Sequence, residues 1–370
     1  MKGTPVNLIR ILYGNGPVPA GRWPLVALYF LRSLIMVPLS LAERLFCYGK
    51  IRGTVIQQPP VFILGHYRSG TTYLHKVLTA DKRFGYINTY NIFFPFSFNW
   101  MEKMLKPILQ GIFNMINLKQ IHYHDYNINF DDPLEEDLHM LISLCPSSAF
   151  LMEVFPHNAL KYIDRNILFE DEKSKEEWRR DYLYCLKRFT WKNNGKPLIL
   201  KNPPNTGRIR LLLEMFPGAK FIFIHRNPYQ VYYSTRNLWE KALEKYYALH
   251  EISDTERDEI IFTLYDKIMH RYLEEKDLIP EENLVEISYE EFEKDPYGEI
   301  EKIYRDLRLP DLAEASGDIK KRLDGEKKYT KFSYKYDDKV LDKIYDHWGF
   351  FIDKWHYKRM TGTASPVLQQ

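Results

Sequence analysis

Short apolar runs along the chain alternate with longer stretches in which apolar residues recur every three or four positions. The runs at 61–64, 196–200, 220–225 and 283–287 are rich in β-branched or aromatic residues and read as buried strands. Helical spacing predicts helices from 71 to about 80, over 100–119, 178–191 and 208–216, from 228 to about 250, and over 254–277, 296–307 and 337–354. Asp132, Pro133 and the acids that follow predict one more helix start, with Asp132 as its cap. Residues 86–99, broken by Pro95, read as an irregular apolar wall carrying Tyr86, Tyr90, Phe93, Phe94, Phe96 and Phe98. Five-residue strands separated by helices predict an α/β fold, a single domain with a central parallel sheet flanked by helices on both faces.

The first residues break this rhythm. Residues 25–41 are apolar apart from Arg32 and two serines, and contain Pro38. They fall short of the ~20 clean apolar residues a spanning helix needs, and no cleavage site of a signal peptide follows. With Arg10, Arg22, Arg32, Arg44 and Lys50 around them, they read either as an interfacial segment, giving peripheral membrane contact through 23–41, or as a helix packed on the body. The expected organisation is a leader at 1–54, a domain at 55–357 and a flexible tail at 358–370.

Composition narrows the function. A net charge of +3 with no basic stripe argues against a nucleic-acid partner. Three dispersed cysteines, Cys47, Cys145 and Cys185, make neither a disulfide framework nor a zinc site. They suit a reducing cytoplasm, with the leader able to skirt the inner membrane face. The 15% aromatic content exceeds what a core needs and suggests an apolar pocket.

The chemistry centres on residues 60–75. A strand enters a loop bounded by Gly65 and Gly70, and a helix starts at Thr71. Backbone N–H groups and the helix dipole converge there on one anion site. Thr71 stands where a Walker loop has lysine, and the cation sits inside the loop as Arg68, so the loop is P-loop-like without being a Walker loop. Lys201 and Arg226 also fall at the carboxyl ends of predicted strands, where open α/β sheets bind ligands. His225 and Arg226 occupy the strand end where a triphosphatase would carry a magnesium-binding acid. A ligand with two phosphate groups and no required metal fits best.

These residues resemble those of the sulfotransferases that use 3′-phosphoadenosine-5′-phosphosulfate (PAPS). Gly65-His-Tyr-Arg-Ser-Gly-Thr-Thr72 is similar to their 5′-phosphosulfate loop, and Arg226-Asn-Pro with Ser234 to their 3′-phosphate motif. Ser288-Tyr289-Glu290-Glu291 with Asp295-Pro296 resembles the segment whose tyrosine lies by the nucleotide. Order and spacing match over roughly 60–310, in the manner of the bacterial branch with R-S-G-T-T loops and lipid-like acceptors.

The resemblance implies roles. Arg68 would hold the bridging oxygen as 3′-phosphoadenosine-5′-phosphate (PAP) leaves; Ser69, Gly70, Thr71 and Thr72 would donate to the 5′-phosphate. Arg226 and Ser234 would hold the 3′-phosphate, and Lys201 would face the sulfuryl group. Tyr289 would lie against the nucleotide, with a core ring as the alternative reading. The histidine that serves one branch as base is replaced by Pro203. Glu135 is the first choice for general base, with Glu136 and His139 behind it; acids that merely complement a helix N-terminus are the competing reading. The expected reaction is transfer of the sulfuryl group to the hydroxyl of a small hydrophobic alcohol, a sterol or isoprenoid lipid. A magnesium-dependent small-molecule kinase and a non-catalytic nucleotide-binding peripheral protein are the rivals.

Overall fold

The computed structural model describes residues 4–97, 101–116, 129–326, 334 and 336–361. Four parallel strands, β1 (Val61–Leu64), β2 (Ile199–Lys201), β3 (Lys220–His225) and β4 (Leu284–Ser288), form one sheet in the order β2-β1-β3-β4. The helices that matter here are, in chain order, α1 (Pro5–Tyr13), α2 (Trp23–Phe46), α3 (Thr71–Leu78), α4 (Thr89–Phe93), α5 (Glu102–Ile116), α6 (Glu136–Ile142) and α7 (Glu172–Lys192). They continue with α8 (Ile209–Met215), α9 (Pro228–Leu238), α10 (Asp254–Glu275), α11 (Tyr289–Lys294), α12 (Pro296–Asp306), α13 (Ser316–Glu326) and α14 (Asp338–Lys354).

Alternation along the strands sets the two cores. Val61, Ile63, Ile222, Ile224 and Ile287 face one side and pack with Leu74, Val77, Ile300, Ile303 and Ile319 from α3, α12 and α13. Phe62, Leu64, Leu200, Phe221 and Phe223 face the other side and meet α7, α10 and α14 through Tyr182, Tyr265 and Trp348. Both faces are covered, as a parallel sheet requires.

β1 and β3 run as the apolar pattern predicts. β2 starts three residues later than read and ends one later, so Lys201 is its last residue rather than the start of the next loop. Three further expectations give way. Asp132 is not a helix cap: residues 132–134 are held extended by the Asn88–Pro133 bridge and by Leu134 N–H donating to Ile87, so α6 begins at Glu136 with Glu135 as its N-cap. The predicted helix from 228 to about 250 widens after Leu238 into a π-helix, Trp239–Tyr247. The wall at 86–99 contains α4, capped by Asn88 and Asn91 in reciprocal hydrogen bonds.

The rings of that wall mostly serve the core. Tyr90, Phe93 and Phe94 gather round Phe130 at centroid distances of 6.0–6.4 Å, and Phe96 lies under the Arg188 guanidinium. Phe98 and Trp100 lie outside the described residues. Of the two readings of the leader, packing on the body is observed. Leu8 and Ile11 of α1 are buried, as are Val26, Ser33, Met36 and Glu43 of α2. Asn15, between the helices, shares hydrogen bonds with the Tyr162 hydroxyl.

Candidate active site

The loop between β1 and α3 has the shape its glycines allow. Gly65 has φ of 139°, and a Cβ there would meet the Ile224 carbonyl oxygen at 2.4 Å. Gly70 has φ of 91°, and a Cβ there would lie 2.2 Å from the Tyr289 ring. Only glycine permits both the dihedral and the approach. Between them Arg68 takes a left-handed conformation, φ 67°, with its carbonyl accepting a 3.0 Å hydrogen bond from Arg226 Nη1. The first N–H groups of α3, from Gly70 to Tyr73, precede its first intrahelical bond, Leu74 N–H to Gly70, and so form the anion-facing end of the helix.

The two anion motifs meet in space. Arg68 Nε donates to Ser234 Oγ at 2.8 Å, across 166 residues. The Arg226 guanidinium lies 4.4 Å from the centre of the Tyr289 ring, which in turn covers Gly70. Arg68, Gly70, Thr71, Arg226, Tyr289 and Tyr297 thus line a cleft of about 790 Å³ beside α3 and α12. Tyr289 lines the cleft, held by its hydroxyl's bond to Glu293, while its ring also packs against the edge of the core. Ser69 departs from expectation: its N–H and hydroxyl both bond the His66 carbonyl, so they brace the loop instead of facing the cleft.

The other side of the α3 N-terminus carries the third cation. Lys201 Nζ donates to Thr72 Oγ1 at 3.0 Å and forms an ion pair with Glu135. Lys201 is 1% exposed and Glu135 18%, so the ammonium is buried while the carboxylate keeps an open edge. Glu136 and Asp137, next in the chain, turn the opposite way. Glu136 accepts from the Tyr182 hydroxyl and Asn205, both at 2.7 Å, and burial raises its pKa to about 7. Asp137 pairs with Arg208, both fully buried, and accepts from Asn202. These two acids bolt down residues 202–208 and so hold the end of β2 that presents Lys201. They do more than complement a helix N-terminus.

The structure does not bring His139 to this cluster. Its Nε2 lies 2.9 Å from Arg188 Nη1, its Nδ1 lies 3.1 Å from the Asn91 carbonyl oxygen, and burial with the Arg188 charge keeps it neutral. Its position one turn from Glu135 misleads because Glu135 is the cap, where the backbone is extended (ψ 139°) and the side chain leaves the helical face. Glu136 is likewise turned inward.

Two groups near the pair have no motif to announce them. Glu153 sits in the field of Glu135, and burial, then that charge, pushes its pKa to about 8. The Tyr67 hydroxyl, in the loop beside Arg68, is buried without a hydrogen-bond partner among the described residues and feels Glu153, Asp137 and Glu135. Tyr67 could be picked out by its place next to Arg68, whereas nothing marks Glu153 in Leu-Met-Glu-Val. Among the described residues no group of three or more His, Cys, Asp or Glu side chains is placed to hold a metal ion.

Known proteins resemble this chain in sequence and fold. The chain is 29% identical over 355 residues to omega-hydroxy-beta-dihydromenaquinone-9 sulfotransferase Stf3 of Mycobacterium bovis and, equally, of Mycobacterium tuberculosis, covering 95% of this chain and 89% of theirs. The fold matches the crystal structure of sulfotransferase STF1 from M. tuberculosis with a TM-score of 0.69 at 18% identity, covering 93% of this chain and 90% of that one. It matches sulfotransferase STF9 from Mycobacterium avium with a TM-score of 0.71 at 17% identity, covering 94% and 89%. Residues 59–314, from the entry of β1 to just before α13, match the model of the sulfotransferase family, and the chain belongs to that family.

Proposed function

We propose that this sulfotransferase moves the sulfuryl group of PAPS to the hydroxyl of a lipid alcohol of isoprenoid or sterol type, releasing PAP. The observation that carries the reading is the Lys201–Glu135 pair against Thr72, a buried cation and an accessible carboxylate at the N-terminus of the phosphate-binding helix. The residues present fit such a donor: a cleft that a Cβ at Gly70 would fill, the N–H groups of α3, and three cations from three strand ends. PAPS supplies an activated sulfuryl group whose transfer to an alcohol makes a sulfate ester.

The chain's own residues divide the work. Arg226 and Ser234 suit the 3′-phosphate, a planar fork beside a hydroxyl. Arg68, now on Ser234, can turn within the same cleft toward the 5′ side. Thr72 and Lys201 suit the sulfuryl end, where negative charge grows on the leaving side during transfer. Glu135 takes the acceptor's hydroxyl proton as the new O–S bond forms and the bond to the 5′-phosphate breaks. In the structure Lys201 pairs with Glu135; an anion beside Thr72 competes for that ammonium and frees the carboxylate to accept from the acceptor's hydroxyl. The lipid character of the acceptor follows from the relatives acting, by name, on a menaquinone, and from the apolar leader.

Two measurements test this. Calorimetry with PAP, ADP and AMP, with and without magnesium, should show PAP preferred and no metal dependence. With PAPS in excess, an isoprenoid or sterol alcohol should turn over faster than a phenol, a sugar or a tyrosine peptide. Faster turnover of the sugar or the peptide would overturn the acceptor assignment.

A further inference from the structure

Among the described residues the outer face of α2 has no partner. Leu28, Leu31, Leu34, Ile35, Leu41 and Leu45 are 41–78% exposed and run along one stripe of the helix. A contiguous apolar stripe on a folded surface marks an interaction site. By length and composition the helix could cross a membrane. Its other face forbids that. Glu43 forms a buried ion pair with Arg188 at 2.6 Å, and Arg32 donates to the carbonyls of Ile142 and Phe93 at 3.0 and 3.3 Å. A crossing helix would break these bonds and leave Glu43 and Arg32 in hydrocarbon. The helix is docked along its length, with lipid-like residues outward.

Charge selects the occupant. Residues 1–60 carry seven basic side chains and one acid, Glu43, which is already paired, while the rest of the chain holds 45 basic and 48 acidic residues. Arg10, Arg44 and Lys50 are exposed around the stripe. Trp23 begins α2 and Tyr48 follows its end, both well exposed, as rings at a headgroup boundary are. A second stripe, Met104, Ile108, Ile112 and Met115, is exposed on α5. That helix is tied to α4 through Glu102, as α2 is through Arg32. An apolar strip framed by cations matches an anionic bilayer surface better than a second copy of the chain, which would bring like charges together.

We infer that α2, flanked by α1 and α5, is a monotopic docking face that lies in the surface of an anionic lipid bilayer. The inference stands apart from the acceptor's identity, because binding is read without sulfuryl transfer. It also places α2 behind the acceptor side: the Tyr29 hydroxyl of α2 donates to the Tyr247 carbonyl at 3.4 Å, and Leu249 N–H donates to Val154, next to Glu153.

The test is flotation of the full chain with phosphatidylglycerol-containing vesicles and with pure phosphatidylcholine vesicles. The wild type should float with the anionic vesicles and be released by alkaline carbonate. Leu31→Glu with Ile35→Glu should lower partitioning by at least roughly tenfold, and Arg44→Gln and Lys50→Gln by roughly fivefold each on anionic vesicles only. PAP binding, measured on each variant, should match wild type and certifies the fold; Leu45→Glu, at the other end of the stripe, serves if the double variant fails that control. Equal partitioning of wild type and variants would overturn the inference. So would retention after carbonate, which means a spanning helix, or a dimer in solution that the double variant converts to monomer, which means the face pairs copies of the chain.

Discussion

Lys201 and Glu135, 66 residues apart in the chain, form an ion pair at the carboxyl end of β2, and Lys201 also donates to Thr72 at the start of α3. Neither residue meets the other through local structure. The pair exists because Asp137 and Glu136 fasten the segment after β2 from the side opposite to Glu135. One acidic run therefore serves two ends, with Glu135 toward the cleft and its neighbours toward the core.

Glu135→Gln should lower kcat by about two to four decades, the usual range for loss of a general base, with little change in PAP affinity. Lys201→Ala should lower kcat by about two to three decades, as for removal of a single charge-stabilising donor. Single-turnover rates with calorimetric PAP titration check both. A near-wild-type rate for Glu135→Gln would pass the role to Glu153, the other carboxyl on that side.

Arg226→Ala should weaken PAP much more than adenosine 5′-phosphosulfate, which has no 3′-phosphate. A charge-assisted hydrogen bond contributes ~1.5–3 kcal/mol, so the expected loss for PAP is about tenfold or more. Equal losses for both nucleotides would place Arg226 elsewhere, for instance as support for Tyr289, over which it lies.

Gly70→Ala should both destabilise the loop and abolish nucleotide binding. The new methyl would sit 2.2 Å from the Tyr289 ring at a φ of 91°. The dihedral alone costs about 1–3 kcal/mol for a residue with a Cβ. Combining it with Tyr289→Ala relieves the collision but not the dihedral, so the double variant should regain part of the stability. Thermal unfolding of the two variants separates the two causes.

Asp137→Ala should cost about 3–5 kcal/mol of stability, because it leaves the fully buried Arg208 charge without its partner. Glu135→Gln, two residues away, keeps an amide oxygen at an accessible edge that can still accept from Lys201, so it should cost less stability than Asp137→Ala. Chemical denaturation of the pair of variants reads the contrast. Equal effects would contradict the opposite orientations of these side chains.

Glu153 and Glu136 should each contribute stability that is lost as pH rises from about 4.5 to 8. Burial raises Glu153 to about 8 and Glu136 to about 7. In the unfolded chain both ionise at ~4.3, so across that window these two carboxyls hold more protons in the folded state, and their share of the unfolding free energy declines with pH. The buried histidines His66, His75, His139 and His225, whose pKa burial lowers, contribute the opposite slope below about 6.5. Glu153→Gln should remove part of the slope, so its melting temperature should exceed wild type most at pH 8 and least near pH 5. A gap independent of pH would mean that Glu153 titrates as an ordinary carboxyl.

Much of this protein was legible along the chain. The strands β1 and β3 carry continuous apolar runs, which only a two-sided sheet satisfies, and the glycines at 65 and 70 mark the turn that brings backbone N–H groups to one point. Arg226 and Ser234 stand one helical start apart, so their spacing survives folding. These signals are local: strand pattern, turn chemistry and short fixed spacings depend on neighbours in sequence.

What only the tertiary structure decided depends on contacts between distant segments. Glu135 and His139, four residues apart, would share a face of a regular helix, but the extended backbone at the cap and the burial of Arg188 send them apart. The aromatic stretch at 86–97 reads as a pocket wall until Phe130 draws its rings into the core. Glu153 is one glutamate among many until packing puts it beside Glu135. The apolar stretch of the leader permits a packed or an interfacial helix alike. The pairing of Glu43 with Arg188, 145 residues away, selects the packed face and leaves the other outward. Sequence pattern records which residues prefer to be buried, and packing across the fold determines what they are buried against.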